Sequence, residues 1–148
     1  MNSSASESYF IRPATRDDLD QLTSVVDRFV RANRLLPRTV DELEDLIPSG
    51  FVAVADDRVV GFAALEIYSP KLAEIRSLAV SDELQGQGIG RRLVDECVKL
   101  ARSRDVLEVM AVTSSDNFFR SCGFDFTLPG EKKALFIQPH DSDDSHDA

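Results

Sequence analysis

The eight residues Glu83-Leu84-Gln85-Gly86-Gln87-Gly88-Ile89-Gly90 place three glycines within five positions, between an apolar run ending at Val80 and an Arg-rich helical pattern opening near Arg91. A strand, a glycine-rich turn and a helix N-terminus in that order make an anion site. The first N–H groups of the helix lack partners, its dipole is positive there, and glycine lets phosphate reach the backbone. Two familiar phosphate loops do not fit. A dinucleotide fingerprint needs glycine where Arg91 stands and belongs after the first strand of a parallel βαβ unit, whereas this loop follows an antiparallel meander. A P-loop needs Gly-Lys-Ser or Gly-Lys-Thr, which the chain lacks. An ordinary tight turn is the plain alternative.

Other chemistries are narrowed by what the chain does not offer. His140 and His146 both lie in the last nine residues, so the folded part has no histidine for acid–base work or metal binding. Cys97 and Cys122 stand far apart without paired spacing, which indicates neither a disulfide framework nor a zinc site and fits buried thiols. A formal net charge of -9 argues against nucleic-acid binding, which draws on a basic surface. No apolar run approaches the roughly 18 residues of a membrane span, and the polar MNSSASES start lacks a signal-peptide core. The expectation is a cytoplasmic protein that binds neither nucleic acid nor membrane.

The elements that must position the loop can be read along the chain. Phe10 to Ala14 is a short strand with Pro13 suited to an edge. Thr15 offers an N-cap to a helix whose Leu19, Leu22, Val25, Val26, Phe29 and Val30 recur at helical spacing. Thr39-Val40-Asp41-Glu42 is a capping-box pattern opening a second helix, which Pro48-Ser49-Gly50 ends. Phe51 to Ala55 and Val59 to Leu65 flank a turn at Asp56-Asp57-Arg58. After a second turn at Tyr68-Ser69-Pro70-Lys71, Ala73 to Val80 completes the meander. Ile89, Leu93, Cys97 and Leu100 mark the core face of the next helix, and Leu107 to Val112 reads as a buried strand, giving a crossover unit. A short helix over Asn117 to Ser121 precedes two last strands, Phe124 to Leu128 and Ala134 to Ile137. The sum is a single α/β domain over residues 10–139 with a mixed central sheet, between a disordered N-terminal segment, 1–9, and an acidic disordered tail, 140–148.

Gln85-Gly86-Gln87-Gly88-Ile89-Gly90 also matches the Q/R-x-x-G-x-G/A pattern of the GCN5-related N-acetyltransferase (GNAT) family, which the chain resembles from Phe10 to Pro139. The strand before the loop, the helix after it and the later Phe118 to Phe124 segment ending in Gly-Phe fall in that family's order. The resemblance is closest to short amino-acid acetyltransferases of the N-acetylglutamate synthase type, through Leu35 to Thr39, Ala73 to Val80 and the Phe118-Phe119 pair. It implies direct transfer of an acetyl group from acetyl-CoA to a small amine, with an amino acid such as L-glutamate as the leading acceptor and no metal. Another amine (a polyamine, an antibiotic or a protein N-terminus) and a non-catalytic acyl-CoA-binding module are the alternatives. Relatives are often homodimers.

The resemblance also assigns roles. The strand ending in Leu78-Ala79-Val80 would splay from the Leu107 to Val112 strand and pair its open edge with the pantetheine arm. Gln85, Gly86, Gln87, Gly88, Ile89, Gly90 and Arg91 would meet the phosphates, although Arg91 and Arg92 also suit a solvated face. The amine must lose a proton to attack, and Glu74 is the first candidate base, with Glu66 in reserve. Glu74 could equally be an outward carboxylate paired with Arg76 or Lys71. Arg38 and Lys71, assisted by Arg76, would hold a substrate carboxylate. Phe119 occupies the position where many relatives carry a tyrosine that protonates the departing thiolate, so this side chain cannot serve as that acid.

Overall fold

A computed structural model describes residues 8–32, 35, 37–126 and 134–139. Residues 1–7 of the expected leading segment, Leu36, Leu128 and the acidic tail from His140 to Ala148 lie outside the described residues.

Strands β1 (Phe10–Pro13), β2 (Gly50–Ala55), β3 (Arg58–Ser69), β4 (Leu72–Val80) and β5 (Glu108–Met110) form one sheet in the order β1-β2-β3-β4-β5. Neighbours are antiparallel as far as β4, and β5 returns parallel to β4. The β2–β3 turn is tight because Asp56 and Asp57 both adopt left-handed backbone, φ 50° and 59°, which matches the twist of the strands it joins. Pro13 ends the edge strand, where a missing N–H is tolerated.

Helix α1 (Leu19–Arg31) begins later than Thr15 suggests. A 3-10 turn at Arg16–Asp18 comes first, because the Asp18 carboxylate is drawn back to Arg12 (2.8 and 2.9 Å) and to the Thr15 N–H (2.8 Å). Helix α2 (Val40–Leu46) carries the expected capping box: the Glu42 N–H donates to Thr39 Oγ1 at 3.1 Å, and the Thr39 N–H donates to Glu42 Oε1 at 2.8 Å. Helix α3 (Ile89–Ser103) makes the crossover from β4 to β5, and α4 (Asp116–Ser121) follows.

Alternation along the strands sorts the core into two layers. Ala53, Ala63, Leu65, Ala73 and Ile75 face α3, where they meet Leu93, Val94 and Cys97. Val52, Val54, Phe62, Ala64 and Ala79 face α1 and α2, where they meet Leu22, Val25 and Leu43. Fully buried side chains such as Phe62, Leu22, Leu43 and Leu93 each contribute about 1.5–3 kcal/mol of burial.

Two expectations are corrected. The strand expected at Leu107 to Val112 pairs over Glu108–Met110 alone, and Leu107 and Val112 are 72% and 63% exposed rather than buried. As the last strand of the sheet, β5 has a single neighbour, and that neighbour soon departs from it. The strands expected at Phe124 to Leu128 and Ala134 to Ile137 are not formed among the described residues, where Leu135, Phe136 and Ile137 stay 90%, 78% and 87% exposed. Their composition suits a strand, but a strand is made by a partner edge, which composition does not supply.

Candidate active site

The glycine loop is shaped by backbone conformation. Gly88 is the N-cap of α3 with φ 84°, and Gly86 has φ 87°; a Cβ built on either would meet nothing within 4 Å. Both glycines therefore border open space, and a side chain there would be strained and would project into it. Gly90 serves differently, since its Cβ would stand 3.3 Å from Phe118 Cζ, so the bare position lets α4 close on α3. The first N–H groups of α3 open at this point with no intrahelical acceptor. This is a cradle that fits an anion, and a CoA pyrophosphate is of that kind.

Neighbouring side chains take distinct directions. Ile89 is buried in the α3-side core, which leaves its main chain to the loop. Gln85 turns back, its Nε2 donating to Val80 O and Asp82 Oδ1 at 3.2 Å each. Gln87 Oε1 is buried without a partner among the described residues, and the Gln87 carbonyl accepts from Tyr9 Oη at 3.3 Å. Arg92 lies over the Tyr9 ring at 5.2 Å, whereas Arg91 lines the cleft. Tyr9, the end of the leading polar segment, is thus packed against the loop, a contact of residues 78 apart in sequence.

The cleft itself opens where β4 and β5 part. Their register holds only at Leu72, Ala73 and Glu74, opposite Glu108, Val109 and Met110. Beyond Glu74, β4 bulges: Ser77 takes φ 58°, and the register with β3 shifts between Phe62 and Ala64. The resulting space of about 610 Å³ is walled by Ser77, Leu78, Ala79 and Val80 on one side, by Ala111 to Ser115 on the other, and by the glycine loop at its end. That volume suits a small-molecule site. The expected splay is present, and the bulge lies just beyond the last paired residue, Glu74.

Beside the point of parting, on the face opposite Ala73 and Ile75, lies a polar network. Glu66 of β3 stands directly across from Glu74 of β4. Arg76 Nη1 donates to Glu66 Oε1 at 2.8 Å, to Tyr68 Oη at 2.9 Å and to Glu74 Oε1 at 3.5 Å, while Tyr68 Oη donates to Glu74 Oε1 at 2.6 Å. Arg38, just before α2, donates from Nε to Ser77 Oγ at 3.0 Å. Glu66, Tyr68, Glu74 and Arg76 thus form one cluster on β3 and β4, Arg38 meets the cleft wall at Ser77, and both Arg38 and Arg76 lie near enough to Glu42 to help hold its carboxyl below the usual range, after the Thr39 N–H. Lys71 stands further from Ser77. It sits in the β3–β4 turn, six residues from Ser77 along an extended strand, a span of roughly 20 Å.

Ser77 and Tyr68 were missed by sequence reasoning. Only the serine's left-handed conformation and the tyrosine's convergence on two carboxylates distinguish them, and neither has a local signal.

Burial pushes the Cys97 thiol up to about 12 and likewise raises that of Cys122, which disfavours the nucleophilic thiolate. Phe119 is buried and packs edge-on against Phe118 and Phe124, with centroids at 5.1 and 5.4 Å. Among the described residues no group of three His, Cys, Asp or Glu could hold a metal, and no helix is long and apolar enough to cross a membrane.

Comparison with known proteins agrees with this geometry. The acetyltransferase (GNAT) family model matches residues 16–124. The chain is 33% identical over 114 residues to an uncharacterized N-acetyltransferase of Chlorobaculum tepidum, covering 77% of this chain and 74% of that protein. It is 31% identical over 117 residues to an amino-acid acetyltransferase of Mycobacterium tuberculosis, covering 77% and 67%. A solved M. tuberculosis structure in complex with CoA superposes with a TM-score of 0.75 at 30% identity, over 80% of this chain and 73% of that one. N-acetylglutamate synthase of Neisseria gonorrhoeae, complexed with coenzyme A and N-acetyl-glutamate, gives 0.75 at 25% identity, over 86% of this chain but 31% of that one. The chain belongs to the GNAT family, and its activity is that of an acetyl-CoA-dependent N-acetyltransferase.

Proposed function

We propose that the acceptor is an α-amino acid, with L-glutamate the first to be tested. The observation that carries this reading is Arg38, anchored on Ser77 in the cleft wall, on the same side of the sheet as the Glu66–Glu74 pair. A cation beside paired carboxylates suits a zwitterion, with the substrate carboxylate on the guanidinium and its ammonium on the acidic side. Similarity to amino-acid acetyltransferases supports the reading.

In this mechanism the glycine loop and Arg91 hold the pyrophosphate of acetyl-CoA through the N–H groups at the start of α3. The open edge of Leu78 to Val80 takes the pantetheine arm as an added strand. Acetyl-CoA supplies an acetyl thioester, which an amine attacks once it is neutral. Glu74, directly or through one water, accepts the proton that the ammonium must lose. An N–H of the β4 edge steadies the negative charge that develops on the carbonyl oxygen. With Phe119 in place of a hydroxyl-bearing side chain, the departing thiolate takes its proton from water or from the substrate ammonium. A thiol with an ordinary pKa near about 8.5 leaves tolerably without an enzymic acid.

The test is free-thiol release from acetyl-CoA against a panel of amino acids and polyamines. Saturable release with an amino acid that disappears when its carboxylate is amidated supports the reading. Release with polyamines alone refutes it.

A further inference from the structure

We infer that Tyr68 is a positioning residue of this active site, one that sets the orientation of the Glu74 carboxylate. The inference rests on the reading of Glu74 as the base.

The β3–β4 register runs Glu66 to Glu74 and Ile67 to Ala73, then resumes at Ser69 to Leu72, so Tyr68 is the extra residue of a bulge. A bulge re-aims a side chain, and here it brings the phenol onto the carboxylate pair. Two carboxylates directly opposite one another repel across a strand pair. Arg76 and Tyr68 together hold Glu66 and Glu74 in that arrangement, with the phenol at 2.6 Å from Glu74 Oε1 and 3.4 Å from Glu66 Oε1. A hydroxyl-to-carboxylate bond that short is charge-assisted and strongly directional.

Arg76 keeps the phenol oriented by donating to its oxygen at 2.9 Å, so the Tyr68 proton points to Glu74. Burial, with Glu74 second, pushes the phenol up to about 12, and it remains a donor throughout the working range. Both partners meet one oxygen of Glu74, Oε1, which leaves Oε2 as the oxygen that accepts the proton. Tyr68 touches neither reactant in this scheme. It acts through Glu74.

The experiment is a double-mutant cycle with Tyr68→Phe, which keeps the ring and removes only the hydroxyl, and Glu74→Gln. Steady-state kinetics are measured for both substrates, with a thermal melt of each variant. The expected result is a fall in kcat of roughly tenfold for Tyr68→Phe, with the acetyl-CoA KM unchanged and no further loss when Glu74 is already Gln. Equal loss in both backgrounds, or a change confined to the acetyl-CoA KM, would overturn the proposal. If Glu74→Gln alone leaves turnover intact, the base assignment fails and the proposal falls with it, an outcome read from that single variant and distinct from the others.

Discussion

The two ends of the cleft are built from different material. At the α3 end the proposed ligand surface is main chain: Gly86 and Gly88 in left-handed conformation and the N–H groups of a helix start. Beside the β4–β5 parting the proposed surface is side chain, with two carboxylates, a phenol and two guanidiniums drawn from β3, β4 and Arg38 just before α2. A backbone site tolerates little change in shape because its glycines hold left-handed dihedrals that other residues rarely adopt. A side-chain site can lose one member and keep its shape, so its variants should separate binding from chemistry.

Five variants break or sharpen that contrast, from the largest expected effect downward. Gly88→Val forces a β-branched residue to φ 84° and puts a side chain in the open cradle. Acetyl-CoA binding by calorimetry should disappear. Glu74→Gln should lower kcat roughly 10²- to 10⁴-fold, the usual span of general-base catalysis, with acetyl-CoA affinity unchanged by the same calorimetry. Arg38→Ala should raise the acceptor KM roughly 10- to 100-fold, from the loss of about 1.5–3 kcal/mol in a hydrogen bond to charge, leaving the acetyl-CoA KM alone.

Asp18→Asn lies outside both ends and serves as the control. It should cost about 2 kcal/mol of stability in denaturant melts while both KM values hold. Arg12 first, then the Thr15 N–H, hold the Asp18 carboxyl below the usual carboxylate range. That contribution is present in full above an ordinary value of about 3.9 and fades as pH falls through the lower folded value. The parent should therefore lose stability in acid more steeply than Asp18→Asn. Gly90→Ala should do least. Its 3.3 Å contact with Phe118 opposes a helix-propensity gain of about 1 kcal/mol, so the melt should move by less than that and acetyl-CoA affinity by no more than a few-fold. A large loss of affinity there would show that Gly90, like Gly88, belongs to the cradle.

The same contrast explains how much of the site could be read in advance. The glycine loop is local: strand, turn and helix start are contiguous, so glycine spacing and the Leu93 to Cys97 periodicity point to it directly. The capping box at Thr39 and Glu42 was legible for the same reason. The acceptor end is not contiguous. Arg38 and Ser77 are 39 residues apart, and their meeting depends on how α2 crosses the sheet. Lys71 and Arg38 look equivalent as cations in a sequence, yet one stands in a turn and the other at the cleft. Phe124 to Phe126 and Ala134 to Ile137 have strand composition without a ladder, because pairing is a property of two segments.

What the chain determined by itself is therefore the local material: the periodic faces and caps of its helices, where bare backbone is open to an anion, and the absence of a hydroxyl at Phe119. What the tertiary structure alone decided is convergence. A bulge at Ser77 lies where β4 leaves β5, and the one at Tyr68 brings a phenol to Glu74. Neither has a sequence signature, because a bulge arises from a register between two strands and the packing on both faces of the sheet, which no single segment specifies.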